Sequence, residues 1–200
     1  MSANTIDYFF TPMSPWAYFG HERFVAIAKK HGAHIEVKPV DYGKVFPASG
    51  GLPLAQRPKQ RQAYRMFELQ RWRDFLGVPL NLKPKYAPVP TELAARLIIA
   101  ADMKELNAMA LALAIHQAVF VEERDISDPA TLKTICAEHG RKPEFLWEAE
   151  QNPETKRLFD AYTQEAIDRQ VFGAPTYIYK DEPFWGQDRL DFLDRALAKG

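Results

Sequence analysis

The sequence predicts an α/β domain whose small sheet is assembled from the two ends of the chain, with a large all-helical segment inserted between them. Three observations carry this. An aromatic, β-favouring run, Ile6-Asp7-Tyr8-Phe9-Phe10, is followed by a helical pattern and then by the alternating run His34–Val40, which together make a β-α-β unit. Strand signals return only at Thr176–Tyr179 and Glu182–Trp185, just ahead of a final helical pattern. Between these ends, residues 43–169 show helical periodicity interrupted by proline-rich connectors, with no internal repeat. The division expected is 1–42 with 170–200 as one discontinuous domain, and 43–169 as a helical insertion.

The elements follow in order. Thr11-Pro12 bounds the first strand, and Ser14-Pro15 opens the first helix. Serine can accept from the exposed N–H groups of the first turn, and proline suits the first helical position, where no N–H is needed. Tyr18, Phe19, Phe24, Val25, Ile27 and Ala28 recur at helical spacing before Gly32 stops the helix. Two strands joined by one helix should be parallel with a right-handed crossover. Gly43 to Pro58 holds three prolines and three glycines and is expected to be a loop that covers a site. Lys59–Leu76 is helical up to Gly77, and further helices are expected at Thr91–Asp102, Glu105–Val121, Asp128–His139, Pro143–Glu150 and Pro153–Gln170. Lys180-Asp181 fits a hairpin turn, and Asp188–Ala198 fits a last amphipathic helix with Asp188 as its cap.

Composition narrows the function. Of 200 residues, 26 are basic and 26 acidic, a balance that favours neither nucleic acid nor an anionic membrane surface as partner. Met1–Thr5 lacks the basic start and apolar core of a signal peptide. No apolar run approaches the ~20 residues that span a bilayer. The single Cys136 cannot form an internal disulfide, which fits a reducing interior, so a soluble cytoplasmic protein is expected. The histidines, at 21, 31, 34, 116 and 139, do not cluster, and no metal site is expected; His116 on its apolar helix reads as a core residue. Phosphate-loop, dinucleotide-fingerprint and nucleophile-elbow motifs are absent, and the carboxylates are scattered.

The frame, the Ser14-Pro15-Trp16-Ala17-Tyr18 motif at the first strand–helix junction and Gly173-Ala174-Pro175-Thr176 before the third strand resemble the thioredoxin fold, and the helical insertion resembles its DsbA-like branch. Within that branch, Ser14–Tyr18, Phe172–Thr176 and Phe184-Trp185-Gly186-Gln187-Asp188-Arg189 are similar to the 2-hydroxychromene-2-carboxylate isomerases and kappa-class glutathione transferases. Glu68–Trp72 followed by Gly77–Leu80 adds to the resemblance, which spans nearly the whole chain.

What the resemblance implies is specific. Ser14 and Ala17 stand where redox members carry their two cysteines, so a Cys-x-x-Cys site is excluded. Ser14 would instead hold the thiol of glutathione at the helix start, where a hydroxyl donor, free N–H groups and the positive dipole end favour thiolate. Alone, Ser14 reads as no more than a helix cap. Pro175 alone reads as a trans proline entering a strand, whereas the resemblance implies a cis bond after Ala174, with the Ala174 backbone pairing with the glutathione peptide. Gln187 and Asp188 would take the γ-glutamyl carboxylate and ammonium, or Asp188 would only cap. Arg61 or Lys59 would contact a substrate or glutathione carboxylate; the family's lysine is replaced by Arg61 and its loop asparagine by Gly51. Trp16 and Phe46 are the expected walls of a pocket for an aromatic substrate. Tyr18, Tyr64, Trp72, Tyr86 and Trp185 are taken chiefly as core residues.

The resemblance thus implies a glutathione-dependent isomerase of a small aromatic carboxylate, working by thiolate addition, bond rotation and elimination, and forming a homodimer. Two alternatives stay open: a kappa-like glutathione transferase, and a non-catalytic thiol-binding or holdase module on a degenerate thioredoxin fold.

Overall fold

The four strands β1 (Thr5–Phe10), β2 (His34–Pro39), β3 (Thr176–Tyr179) and β4 (Glu182–Trp185) form one mixed sheet in the order β2-β1-β3-β4. The structure is a computed structural model that describes residues 4–140 and 144–200. β1 pairs with β2 in parallel across α1 (Pro15–Lys30), as a β-α-β unit requires, and with β3 antiparallel. Lys180 and Asp181 both adopt positive φ, 48° and 65°, the backbone that a two-residue hairpin turn needs. Pro183 sits on β4, the edge strand, where its missing N–H costs no ladder bond.

The helical segment departs from expectation at its start. Gly43–Pro58 is not a plain loop: α2 (Tyr42–Ser49) occupies half of it, with a 3₁₀ turn at Leu54–Gln56. Asp41 caps α2 by accepting from the Gly43 N–H at 2.8 Å, and Gly50 ends it in the left-handed conformation. These two terminal signals outweigh Pro47 inside it. Then come α3 (Lys59–Leu76), α4 (Glu92–Met103), α5 (Ala108–Phe120), α6 (Pro129–Glu138), α7 (Glu144–Gln151) and α8 (Pro153–Asp168). α5 starts later than periodicity suggested because Asn107 is its cap, accepting from the Ala110 N–H. Asp128 caps α6 as expected. Pro143, the expected start of α7, lies outside the described residues.

α9 spans Leu190–Ala198, and Gln187–Arg189 ahead of it is a 3₁₀ turn, so Asp188 is not the helix cap; it pairs with Arg189 at 2.7 Å instead. One apolar cluster runs without a break from the sheet (Ile6, Tyr8, Phe10, Tyr177) through α1 into α4 and α5 (Leu97, Ile98, Leu111, Ile115). On the other side of the sheet, Lys38 pairs with Asp7 and Glu165, both at 2.7 Å, and Arg169 bridges the same two acids. These ion pairs bind α8 to β1 and β2.

Candidate active site

The junction between β1 and α1 is held from two sides. Ser14 has the extended backbone of a helix cap (φ −92°, ψ 110°), and its Oγ accepts from the Ala17 N–H at 3.1 Å. Its own hydroxyl donates to the Ala174 carbonyl at 3.3 Å, across 160 residues of sequence. Pro15 has no N–H and the Ala17 N–H is taken, so the Trp16 N–H is the unclaimed donor of this turn among the described residues. Below the turn, the ring of His116 on α5 hydrogen-bonds through Nδ1 to the Pro12 carbonyl at 3.1 Å.

The Ala174–Pro175 peptide is cis. Its flanking carbonyls are tied: the Gly173 carbonyl accepts from the Tyr42 hydroxyl at 2.8 Å and the Thr176 hydroxyl at 2.7 Å, and the Pro175 carbonyl accepts from the Gly186 N–H at 2.9 Å. A Cβ at Gly173 would overlap the Trp185 indole, so a larger residue there has to displace that ring. Gly186, at φ 100°, likewise has no room for a Cβ beside Asp188. The Ala174 N–H has no partner among the described residues.

A cleft of about 660 Å³ opens above this junction. Trp16 and Ala174 form its base, Trp185 to Arg189 one wall, and Arg57, Gln60, Arg61, Tyr64, Arg65, Glu68 and Trp72 the other. Ser14 itself is buried, 6 % exposed, directly beneath Ala174. A groove of about 700 Å³ between β4 and α9 is of similar size, but of the cleft's residues it shares only Trp185 and Arg189 and reaches neither the α1 start nor Ala174.

Several expected residues meet here: Ser14 below, then Trp16, Ala174, Arg61, Gln187 and Asp188 at the surface of the cleft, with Pro175 buried behind Ala174. Gln187 is buried, and both its backbone and side-chain oxygens accept from Arg23. Lys59 is exposed at the first position of α3 and does not line the cleft. Phe46 is also outside it; its ring packs against Gly51, where a Cβ would sit 2.7 Å from it, and lies 5.7 Å from the Arg57 guanidinium.

The arginines of the α3 wall went unread in the sequence apart from Arg61. Arg61, Arg65, Glu68 and Trp72 recur every three or four residues, so they share one face of the helix, with Arg57 just before it. That spacing was the available signal. Among the described residues, Arg57, Arg61 and Arg65 have no carboxylate partner. Burial first, and then the like charge of Arg57, pulls the Arg65 guanidinium below its ordinary range. Three cations without carboxylate partners on an apolar, aromatic-lined cleft have the chemistry to receive carboxylate groups. Among the described residues, no group of three or more His, Cys, Asp or Glu stands close enough to hold a metal.

Comparison with known proteins places the fold in a family. The model of the family described as DSBA-like thioredoxin domain matches residues 5–198. The chain belongs to that family. Two curated relatives named 2-hydroxychromene-2-carboxylate isomerase are each 29 % identical to this DSBA-like chain. The one from Sphingobium xenophagum covers 96 % of this chain and 97 % of its own, and the one from Pseudomonas putida 97 % and 94 %. A Caenorhabditis elegans protein named glutathione S-transferase kappa 1 is 24 % identical over 97 % of this chain and 91 % of its own. A solved structure of 2-hydroxychromene-2-carboxylate isomerase superposes with a TM-score of 0.74 at 27 % identity, covering 98 % of this chain and 95 % of that one. The cytosolic disulfide reductase DsbM of Pseudomonas aeruginosa, at 19 % identity and a TM-score of 0.69, shares the fold. Among the described residues, no helix of this DSBA-like chain is long and apolar enough to cross a membrane.

Proposed function

We propose that this chain is a glutathione-dependent isomerase acting on an aromatic 2-oxo acid or its cyclic chromene carboxylate. The observation that carries the reading is the Ser14 hydroxyl, fixed between the Ala17 N–H and the Ala174 carbonyl at the base of a cleft with unpaired arginines on its wall. The isomerase names of relatives along the full chain support it.

The residues present fit glutathione. The Ala174 N–H is open for a peptide group, the Trp16 N–H and the Ser14 hydroxyl for sulfur, and Arg57 or Arg61 for a terminal carboxylate. When bound, glutathione would supply a thiolate able to add to an electrophilic carbon and leave again, with no net redox change. Ser14 is the group that keeps the sulfur ionised. Its Oγ is held by the Ala17 N–H, and its proton, on a long 3.3 Å bond to the Ala174 carbonyl, would be able to turn toward a bound sulfur. The positive end of α1 acts in the same direction. Arg65 takes the substrate carboxylate, and Trp16, Trp72 and Trp185 offer flat apolar surface that excludes water from the ring. Asp188, steadied by Arg189, receives an ammonium group, while Gln187 fixes the turn through Arg23. The sheet ends 1–42 and 170–200 form the thiol-binding part and 43–169 the part that closes over it. A cytoplasmic homodimer completes the reading.

The test is to follow the ultraviolet spectrum of 2-hydroxychromene-2-carboxylate with the protein, with and without glutathione. A spectral change that requires glutathione and leaves its concentration constant is expected; no dependence on glutathione would remove the reading. Relatives named kappa glutathione transferases favour a second reading, conjugation to an electrophile, which consumption of glutathione would reveal.

A further inference from the structure

The groove between β4 and α9 is a second concave site, and its volume of about 700 Å³ is that of a small-molecule pocket. α9 divides its residues between two faces. Leu190, Leu193 and Leu197 are buried in the core. Arg189, Phe192, Arg195 and Lys199, spaced three, three and four residues apart, share the opposite face and line the groove. Tyr179 and Phe184, both buried, supply apolar lining from the sheet.

The lining selects its occupant by ring and by charge. Phe192 and Trp185 are open to solvent, 54 % and 52 % exposed, and both belong to the groove. Trp185 is braced by Phe172, whose ring meets it edge-on at 4.8 Å. Four cations, Lys180, Arg189, Arg195 and Lys199, stand beside one acid, Glu182. Lys180 is engaged with the Gly200 backbone oxygen and Arg189 with Asp188. Arg195 and Lys199 have no carboxylate partner among the described residues, and the Arg195 guanidinium lies 6.0 Å from the Phe192 ring. Uncommitted cations next to exposed rings match the two halves of a flat apolar anion. A peptide strand is a poorer match, because Pro183 leaves the open edge of β4 without one of its donors.

We propose that this groove binds a small aromatic carboxylate, its ring against Trp185 and Phe192 and its carboxylate on Arg195 and Lys199. The site is separate from the cleft but touches it, since Trp185 and Arg189 line both. It does not rest on the isomerase reading, because the groove reaches neither Ser14 nor Ala174.

The test is an NMR titration of the full, isotope-labelled chain with 1-naphthoate, followed at the backbone amides. Saturable shifts at Phe192, Arg195 and Lys199 are expected, distinct from any at Trp16, Arg61 and Arg65, which would report the cleft. The double variant Arg195→Gln/Lys199→Gln should weaken binding in the groove by about tenfold, and Phe192→Ala by about as much. The uncharged 1-naphthalenemethanol should bind about tenfold less tightly than 1-naphthoate. These side chains are exposed, so melting temperatures should stay close to wild type, and the glutathione-dependent spectral change should persist in each variant. Shifts confined to the cleft overturn the proposal, as does groove binding indifferent to the two cations or to the charge of the probe. Tighter binding of hexaglutamate than of 1-naphthoate would also overturn it, in favour of an acidic peptide. Naphthoate bound in the groove of a chain without glutathione-dependent activity would remove the isomerase alone.

Discussion

The two walls of the cleft are built in opposite ways. The wall of Ala174 and Gly186–Asp188 is backbone held by backbone and by buried side chains: Tyr42 and Thr176 on the Gly173 carbonyl, Gly186 on Pro175, Arg23 on Gln187, Ser14 on Ala174. The α3 wall is charged side chain on a helix with one buried residue. The first is fixed in geometry, because almost every polar group there already has a partner. The second has few apolar contacts to keep it in place and several unpaired cations, so it can follow ligands of different shape.

Substitutions on the fixed wall should cost most. Ser14→Ala removes the hydroxyl proposed to hold the sulfur's charge. Its kcat/KM in the glutathione-dependent assay should fall by about 10²–10³. Its melting temperature should reflect only a lost cap, about 1 kcal/mol. A wild-type rate would remove Ser14 from the chemistry. Next comes Gly20→Ala on α1, whose added Cβ would meet the Tyr177 hydroxyl at 2.8 Å and Gln187 Cβ at 2.9 Å. Denaturant unfolding should show a loss of about 1–3 kcal/mol, with weakened glutathione binding as the Gln187 turn is pushed outward.

Substitutions on the α3 wall should separate binding from stability. Arg65→Gln removes a partly desolvated cation, so thermal unfolding should be unchanged or slightly later. KM for the carboxylate substrate should rise by about tenfold or more with a smaller change in kcat. Arg65→Lys should recover little of it, since an ammonium cannot offer the same fork of donors. A matching loss of stability in Arg65→Gln would mean that the two walls do not differ as described.

The effect least tied to either wall concerns pH. Burial lowers the His21 ring to about 4; burial, and then the neighbouring His21, lower His116 to about 3. Both are neutral in the fold, whereas in the unfolded chain they bind protons below about 6.5. Stability is thus complete above that value and drains as pH falls toward 4 and 3, by up to about 1.4 kcal/mol per pH unit for each ring. Urea titrations between neutral pH and about pH 5 should show this slope, about halved in His116→Asn. An unchanged slope would discharge the histidines.

The same contrast governed what the sequence disclosed. The fixed wall was legible because its parts are local signals: a serine–proline helix start, a proline before a strand, a glycine-bounded turn. The ends of the sheet were legible for the same reason. α2 was hidden by its own prolines and glycines, although Asp41 and Gly50, its two terminal signals, are plain in the chain. Arg57 and Arg65 were missed because lone basic residues on a helix look like solvated surface until the opposite wall is known. Tyr64, Trp72 and Trp185 looked like core for the mirror reason: aromatic periodicity does not say whether the far side of a helix faces protein or a cleft. Gln187 shows a third limit, since only the Arg23 contact reveals that its oxygens are already engaged.

One bond in the scaffold has a bearing on ancestry. The His116 ring, deep in α5, carries the Pro12 carbonyl two residues before Ser14. α5 therefore bears on the position of the serine two residues further along the chain. A chimera that kept the sheet motifs and borrowed the helices of a distant relative would inherit the right letters at the wrong elevation.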